Sequence, residues 1–356
     1  MKNSEIIRLG FLGTGATTSV ANWHAKAFLQ EKRAAITAVY NRTRESGVRW
    51  AGQFSLDVRV CETLQELLEC CDAVIICTPN HTHFAYAMAA LEAGKHVLLE
   101  KPMALTAKQA AALARAGRAA RTVCQVGYVY RFAQPVQMLK KLVQEQLGPL
   151  YTLDGRLGGK RLADARVKME WRMVSRAAGS GALHDFGSHL LDTAHFVTGK
   201  QVSSVFCTKE TFLLQRTGEH GMQRVETDDA AYLVCTGGHM LSSFAVSRVG
   251  FGPMALTAVG EGGMAELQLK ERPKLVFQPK EKRGPYRGKT HSFAFAAEEA
   301  QTQGWFHRQA QAFLNAVQGE ATLAAGFAEG SYVDHVLDAA LRSACLGRMQ
   351  AVDVPE

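Results

Sequence analysis

No stretch of this 356-residue chain approaches the roughly 20 consecutive apolar residues that a membrane-spanning helix requires, so no membrane partner is expected. The apolar run from Ile6 to Leu12 is short, has no basic flank leading into a long hydrophobic region, and breaks at Gly13 and Gly15, so it does not read as a signal peptide. None of the eight cysteines forms a CxxC pair, which removes a common zinc-binding and redox signature. Several lie in apolar runs, where a free thiol acts as a small hydrophobe, and this fits a reducing cytoplasm. Repeats and low-complexity segments are missing. With 32 glycines and 9 prolines, neither residue is in excess, which argues against a fibrous or disordered chain. Nor is charge of one sign concentrated. The net charge of +8 comes with only short basic clusters such as Lys280, Lys282 and Arg283, so it reads as solubility and attraction for anionic ligands, with no nucleic-acid partner required.

What is present is an ordinary globular composition, 47% hydrophobic and 21% charged, at a length that suggests about two domains of 100 to 200 residues. The first third alternates strands and helices. Strands are predicted at Ile6–Leu12, Ile36–Tyr40, Ala73–Cys77, Val97–Glu100 and Val123–Gly127, with helices at Ala21–Gln30, Thr63–Leu68, His83–Ala93 and Thr106–Arg121 between them. Such alternation predicts a parallel sheet covered on both faces, with ligands at the carboxyl ends of its strands. After about residue 125 the pattern changes. A helix at Gln134–Gln146, a strand near Tyr151–Leu157, a helix at Gly181–Val197 and strand candidates from Val202 to about Phe277 precede two closing helices, Phe306–Val317 and Ala328–Leu346. Gly237-Gly238 and Gly262-Gly263 read as two-residue hairpin turns, which makes the second sheet largely antiparallel. The Lys, Arg, Gly and Pro content of Pro279–Ser292 reads as a surface loop.

The first strand ends in Gly10-Phe11-Leu12-Gly13-Thr14-Gly15. A glycine pair there lets the backbone turn tightly and approach a pyrophosphate at the following helix. Thr18 replaces the usual third glycine, with Thr17 beside it, so the fingerprint is incomplete. At the end of the second strand NAD enzymes usually carry an acid for the ribose; this chain has Asn41-Arg42-Thr43. A guanidinium there could hold a 2′-phosphate, which favours NADP over NAD. Thr78, Pro79, Asn80 and His83 follow the next strand and are candidates for lining the cofactor cleft, although Asn80 or Thr82 could simply cap a helix. Glu100-Lys101-Pro102 leaves the fourth of these strands at the ligand edge, where a lysine could polarise a carbonyl or steady an alkoxide. Between Gly179 and Asp192, Asp185, His189 and Asp192 are spaced by four and three, which puts them on one face of a helix. An imidazole oriented by a carboxylate suits general acid/base work near neutral pH.

Taken together, the glycine turn, the Thr78-Pro79-Asn80 element, Glu100-Lys101-Pro102 and the Gly179–Asp192 helix resemble the Gfo/Idh/MocA family of oxidoreductases over nearly the whole chain. The resemblance implies an α/β architecture: an N-terminal Rossmann domain over residues 1–125, then an α+β domain over residues 126–356 built on a large, mostly antiparallel open sheet that often serves dimer or tetramer contacts. It also implies catalytic roles for Lys101, Asp185 and His189. Tyr128 and Arg172 fall where such proteins contact substrate or cofactor, and Gly13, Thr14, Gly15, Thr17, Thr18, Asn41, Arg42, Thr78, Pro79, Asn80, His83 and Glu100 fall in the cofactor region. The expected reaction is hydride transfer between NAD(P) and a carbon bearing a hydroxyl or carbonyl group on a sugar, polyol or related small molecule. Three other readings stand beside it: a non-catalytic dinucleotide-sensing regulator, a glycosidase of the same fold that removes and returns a hydride, and a metal hydrolase using His184, Asp185, His189, Asp192 and His195. Helix geometry opposes the last, because His184 and His189 do not share a face.

Overall fold

The computed structural model describes residues 6–15, 20–281, 286 and 288–354. Apolar β-rich runs and capped helices alternate at first: β1 Ile7–Leu12, α1 Val20–Phe28, β2 Ala34–Tyr40, α2 Arg44–Gln53, β3 Arg59–Cys61, α3 Leu64–Glu69, β4 Ala73–Ile76, α4 His83–Glu92, β5 His96–Leu99, α5 Ala107–Ala119 and β6 Cys124–Val126. Thr63 and Thr106 start α3 and α5 by accepting the backbone N–H of Glu66 and Gln109, each at 3.2 Å, the usual service of a threonine at a helix N-cap. The chain continues through α6 Gln134–Leu142, β7 Leu150–Gly158, α7 Ser175–Ala178, α8 Ser188–Thr198, β8 Ser204–Glu210, β9 Gln215–Gly218, β10 Gly221–Arg224, β11 Ala230–Gly237, β12 Met240–Ser247, β13 Ala255–Gly260, β14 Gly263–Gln268, β15 Lys274–Pro279, β16 His291–Ala294, α9 Thr302–Val317, β17 Ala325–Gly326, α10 Phe327–Leu346 and β18 Gln350–Ala351.

These elements divide into two units, Met1–Phe132 with Thr302–Ser331, and Ala133–Gln301 with Tyr332–Glu356. The first holds a seven-stranded sheet in the order β17-β6-β5-β4-β1-β2-β3, parallel except for β17, which pairs antiparallel with β6. From β1 the chain builds outward to β2 and β3, then returns to the other side of β1 for β4, β5 and β6. The carboxyl ends of β1 and β4 therefore flank the switch point where such sheets bind ligands. All four residues of β4 are buried, as expected for a strand covered on both faces.

The domain boundary expected at residue 125 needs correction. It falls at 132, and residues 302–331 belong to the first unit. The cause is packing: Phe313 of α9 meets Phe28 of α1 edge-on with ring centroids 6.2 Å apart, Phe306 stacks on Trp23 at 5.9 Å, and β17 closes the sheet edge beside β6.

The second unit is a nine-stranded sheet, β16-β15-β14-β13-β7-β12-β11-β8-β18, antiparallel apart from the β7–β12 pair. Burial alternates along its strands: in β11, Leu233 and Cys235 are buried while Tyr232 and Val234 are exposed, the period-two pattern of a sheet with one covered face. The two expected hairpin turns are each displaced by one residue. Gly237 pairs with Met240, so Gly238 and His239 make the first turn, with φ of 58° and 61°, the left-handed pair that a type I′ hairpin requires. Gly260 pairs with Gly263, so the second turn is Glu261-Gly262.

Candidate functional site

In the first unit the strand ends are tied into one edge. Gly13 has φ of +83°, and a Cβ there would lie 2.6 Å from the backbone nitrogen of Thr78, so only glycine lets the ends of β1 and β4 approach this closely. The Thr14 N–H donates to Asn41 Oδ1 at 2.7 Å, and Asn41 Nδ2 donates to Thr14 Oγ1 at 2.7 Å. This stitches the end of β2 to the same turn. Gly15 by contrast is not crowded, since a Cβ there would meet only Ser46, with Oγ at 3.7 Å, an ordinary contact. Thr17 and Thr18 lie outside the described residues.

Three side chains assigned to cofactor contact turn inward instead. Asn41 is buried with both amide ends engaged by Thr14, so it braces the turn, and the neighbouring Arg42 is exposed, as are Thr43, Arg44 and Glu45. His83 is 1% exposed; its Nδ1 lies 2.8 Å from the Pro102 carbonyl oxygen and its Nε2 2.9 Å from that of Thr78. Burial holds its pKa below the usual imidazole value, against the pull of the two carbonyls. A neutral imidazole carries one N–H, so it donates to one of these two carbonyls, in the loop after β4 or the loop after β5. Glu100 is also buried, with His24 Nε2 2.8 Å from one carboxylate oxygen and the Lys101 N–H donating to the other at 3.3 Å. Each of these residues works beneath the edge, because its polar atoms are engaged by protein.

Of the remaining assigned residues, Thr78, Pro79 and Lys101 are partly exposed at the ends of β4 and β5, while Asn80 and Tyr128 are buried. The Thr82 hydroxyl lies 2.7 Å from that of Thr78 and 2.8 Å from the Pro79 carbonyl oxygen, which gives the loop a fixed shape. The Lys101–Pro102 peptide bond is cis.

In the second unit the expected continuous helix from Gly181 is interrupted. Leu183–Gly187 forms a π turn before α8 begins at Ser188, a distortion common at functional sites. Asp185 and His189 stay partly exposed, but Asp192 is fully buried. The π turn lies between Asp185 and His189, so the regular helical spacing expected of the three residues holds only for His189 and Asp192, and Asp192 is turned into the core.

The start of this helical stretch is held by Asp228, which the sequence analysis missed. Its carboxylate accepts the N–H of Gly181 at 2.8 Å and of Leu183 at 2.9 Å, together with the Ser180 hydroxyl. A Cβ on Gly181 would lie 1.8 Å from the Asp228 carbonyl oxygen, so glycine is required for this approach. Next to it Asp229 accepts the N–H groups of Phe212 and Leu213 at 2.8 and 2.9 Å, and Arg248 Nε at 2.9 Å. Arg248 also donates to the carbonyl oxygens of Thr227 and Arg172, at 2.8 and 3.1 Å. The backbone at Arg172 and the Asp185–His189 helix are thus anchored to one short run, Thr227-Asp228-Asp229. A pair of acids opening an apolar strand was the available signal. The Arg172 guanidinium, partly exposed, sits 4.5 Å from the centre of the Trp171 ring and 3.9 Å from Glu170. Lys101 belongs to the first unit, and Asp185, His189 and Arg172 to the second. Among the described residues no helix is long and apolar enough to cross a membrane.

A parallel sheet with a glycine turn at its switch point, followed by a unit carrying a large mixed sheet, is the architecture of two-unit proteins built on a Rossmann fold. Comparison with known proteins fixes the family. Residues 7–128 match the model of an oxidoreductase family with an NAD-binding Rossmann fold, and residues 136–266 match the C-terminal domain model of the same GFO/IDH/MocA family; the chain belongs to that family. It is 35% identical over 149 residues to a levoglucosan dehydrogenase of Pseudarthrobacter phenanthrenivorans, covering 42% of this chain and 38% of that protein. It is 29% identical over 192 residues to a glucose-6-phosphate 3-dehydrogenase of Bacillus subtilis, covering 53% of each. These matches span about half or less of the relatives' length. The fold is shared end to end with a levoglucosan dehydrogenase in complex with NADH, at a TM-score of 0.87 and 22% identity over 98% of this chain and 100% of that one. An oxidoreductase domain protein from Kribbella flavida gives 0.83 at 26% identity over 99% and 100%.

Proposed function

We propose that this chain is an NAD(P)-dependent dehydrogenase that moves a hydride between nicotinamide and the hydroxyl- or carbonyl-bearing carbon of a sugar, polyol or related compound. The observation that carries the reading is the open glycine turn at the edge from which Lys101 also departs, in a chain whose family is built on an NAD-binding domain. The turn suits a dinucleotide: Gly13 lets the ends of β1 and β4 close up, and Gly15 leaves backbone without Cβ at the switch point, which a pyrophosphate needs for close approach. Gly13 and Gly15 would hold it, with Thr14 braced beneath the turn by Asn41, and Thr78 and Pro79 would line the loop after β4. The exposed Arg42, with no acid at this strand end, supports a 2′-phosphate and hence NADP over NAD. Bound there, the nicotinamide supplies the hydride acceptor or donor.

Lys101 would hold the substrate oxygen, and His189 would take the hydroxyl proton on an imidazole nitrogen as the carbon loses its hydride. Asp185 would orient that imidazole, and Arg172 would contact the substrate. Tyr128, being buried, is left out of this set. Relatives named for levoglucosan and glucose 6-phosphate support a carbohydrate substrate. The test is the near-ultraviolet absorbance of reduced nicotinamide, followed with NADP or NAD and a panel of sugars, inositols and sugar acids. A rise with at least one compound is expected, reduced by about 100-fold or more in Lys101→Ala and in His189→Ala. Turnover unchanged in both variants would refute the assignment.

A further inference from the structure

The turn that presents Lys101 is gripped by a buried histidine that no step of the proposed chemistry uses. His24 lies on α1, fully buried at 0% exposure, with Phe306 packed edge-on against its ring at 4.8 Å. A buried histidine is most often a satisfied core residue, so its partner decides its meaning. That partner is Glu100, the residue immediately before Lys101: Nε2 lies 2.8 Å from Oε1, while Oε2 accepts the Lys101 N–H at 3.3 Å. No partner for His24 Nδ1 is found among the described residues, which favours the tautomer that donates its single N–H from Nε2 to the carboxylate. Gly127, at the end of β6, completes the seat, because a Cβ there would stand 2.7 Å from Oε1. The carboxylate is therefore engaged at both oxygens and packed against Gly127. Only a carboxylate so fixed can in turn fix the lysine backbone.

We infer that His24 is a positioning residue for Lys101, acting through Glu100. This rests on the reading of Lys101 as a catalytic group. A lysine side chain is long and flexible, so the placement of its ammonium depends on a fixed root, and a displacement of about 1 Å in a reacting group costs roughly 100-fold in rate. His24 supplies that root from α1.

The experiment is a double-mutant cycle in the full-length protein, with dinucleotide affinity measured by fluorescence alongside steady-state kinetics. His24→Leu is expected to lower kcat by about 10- to 100-fold while leaving dinucleotide affinity and substrate KM within about threefold of the parent. His24→Gln, which keeps a donor toward Glu100, is expected to recover most of the loss. Added to Lys101→Ala, His24→Leu is expected to cost almost nothing more, because both act through one group. If His24→Leu does not fold, Gly127→Ala serves in its place, since its Cβ would stand 2.7 Å from Oε1 and displace the carboxylate from the imidazole. A folded His24→Leu or Gly127→Ala protein with unchanged kcat overturns the inference, as does a loss that is fully additive with Lys101→Ala. If Lys101→Ala itself leaves turnover intact, the reading of Lys101 fails instead, and the two failures are told apart.

Discussion

Asp228 offers the most direct check on how the Asp185–His189 helix is held. Its carboxylate is completely buried and receives two backbone N–H groups and a serine hydroxyl at the start of that helix. Hydrogen bonds to a charged group are worth about 1.5–3 kcal/mol, and each buried donor left unpaired costs about 1–3 kcal/mol. Lys209, 3.8 Å away and one-third exposed, adds little because solvent screens it. Asp228→Ala strands all three donors, and with partial relaxation the cost is about 3–6 kcal/mol, a large part of the 5–15 kcal/mol that typically separates folded from unfolded protein. Asp228→Asn keeps one acceptor oxygen but turns an NH2 group toward a donor, and is expected to cost about 2 kcal/mol. In a unit of this size that corresponds to a fall of about 4–8 °C in Tm, read by circular dichroism, with a lower kcat as the helix carrying Asp185 and His189 loosens. An Asp228→Asn protein melting within about 1 °C of the parent at full turnover would refute the reasoning.

Two other predictions follow from the first unit. Arg42→Ala is expected to lower the ratio of kcat/KM for NADP to that for NAD by about 10- to 100-fold, the loss of one charged contact to a phosphate; an unchanged ratio would remove Arg42 from cofactor choice. His83 has a folded-state pKa depressed below 6.5 chiefly by burial, so the unfolded chain binds its proton first. Stability from this group is complete above pH 6.5 and declines as the pH falls toward the folded value, and His96 is shifted the same way by burial. Urea midpoints measured from about pH 7 down to 5 are therefore expected to fall, with a shallower slope in His83→Gln. An equal slope in the two proteins would contradict the assignment.

The alternation of apolar strands with amphipathic helices, the glycine pair after the first strand and the lysine leaving β5 were legible because each is a local pattern that the backbone must obey. The short β3 and the edge strand β17 escaped, since three or two residues carry no periodicity of their own. Hairpin turns were found but misplaced by one residue, because adjacent glycines do not say which residues of the run take the turn: Gly238 and His239 in one, Glu261 and Gly262 in the other. The acid pair at Asp228 was visible, but its partners were not, because they lie more than forty residues away.

The same division runs through the site. Sequence by itself determined which chemical groups stand at the strand ends, and its motifs pointed to the family to which the chain belongs. It could not tell that Asn41, His83 and Glu100 face inward, nor that Asp192 is lost from the helix face. A polar side chain is read alike from sequence whether it serves a ligand or a neighbouring loop, and only the packed structure shows which partner has taken its hydrogen bonds.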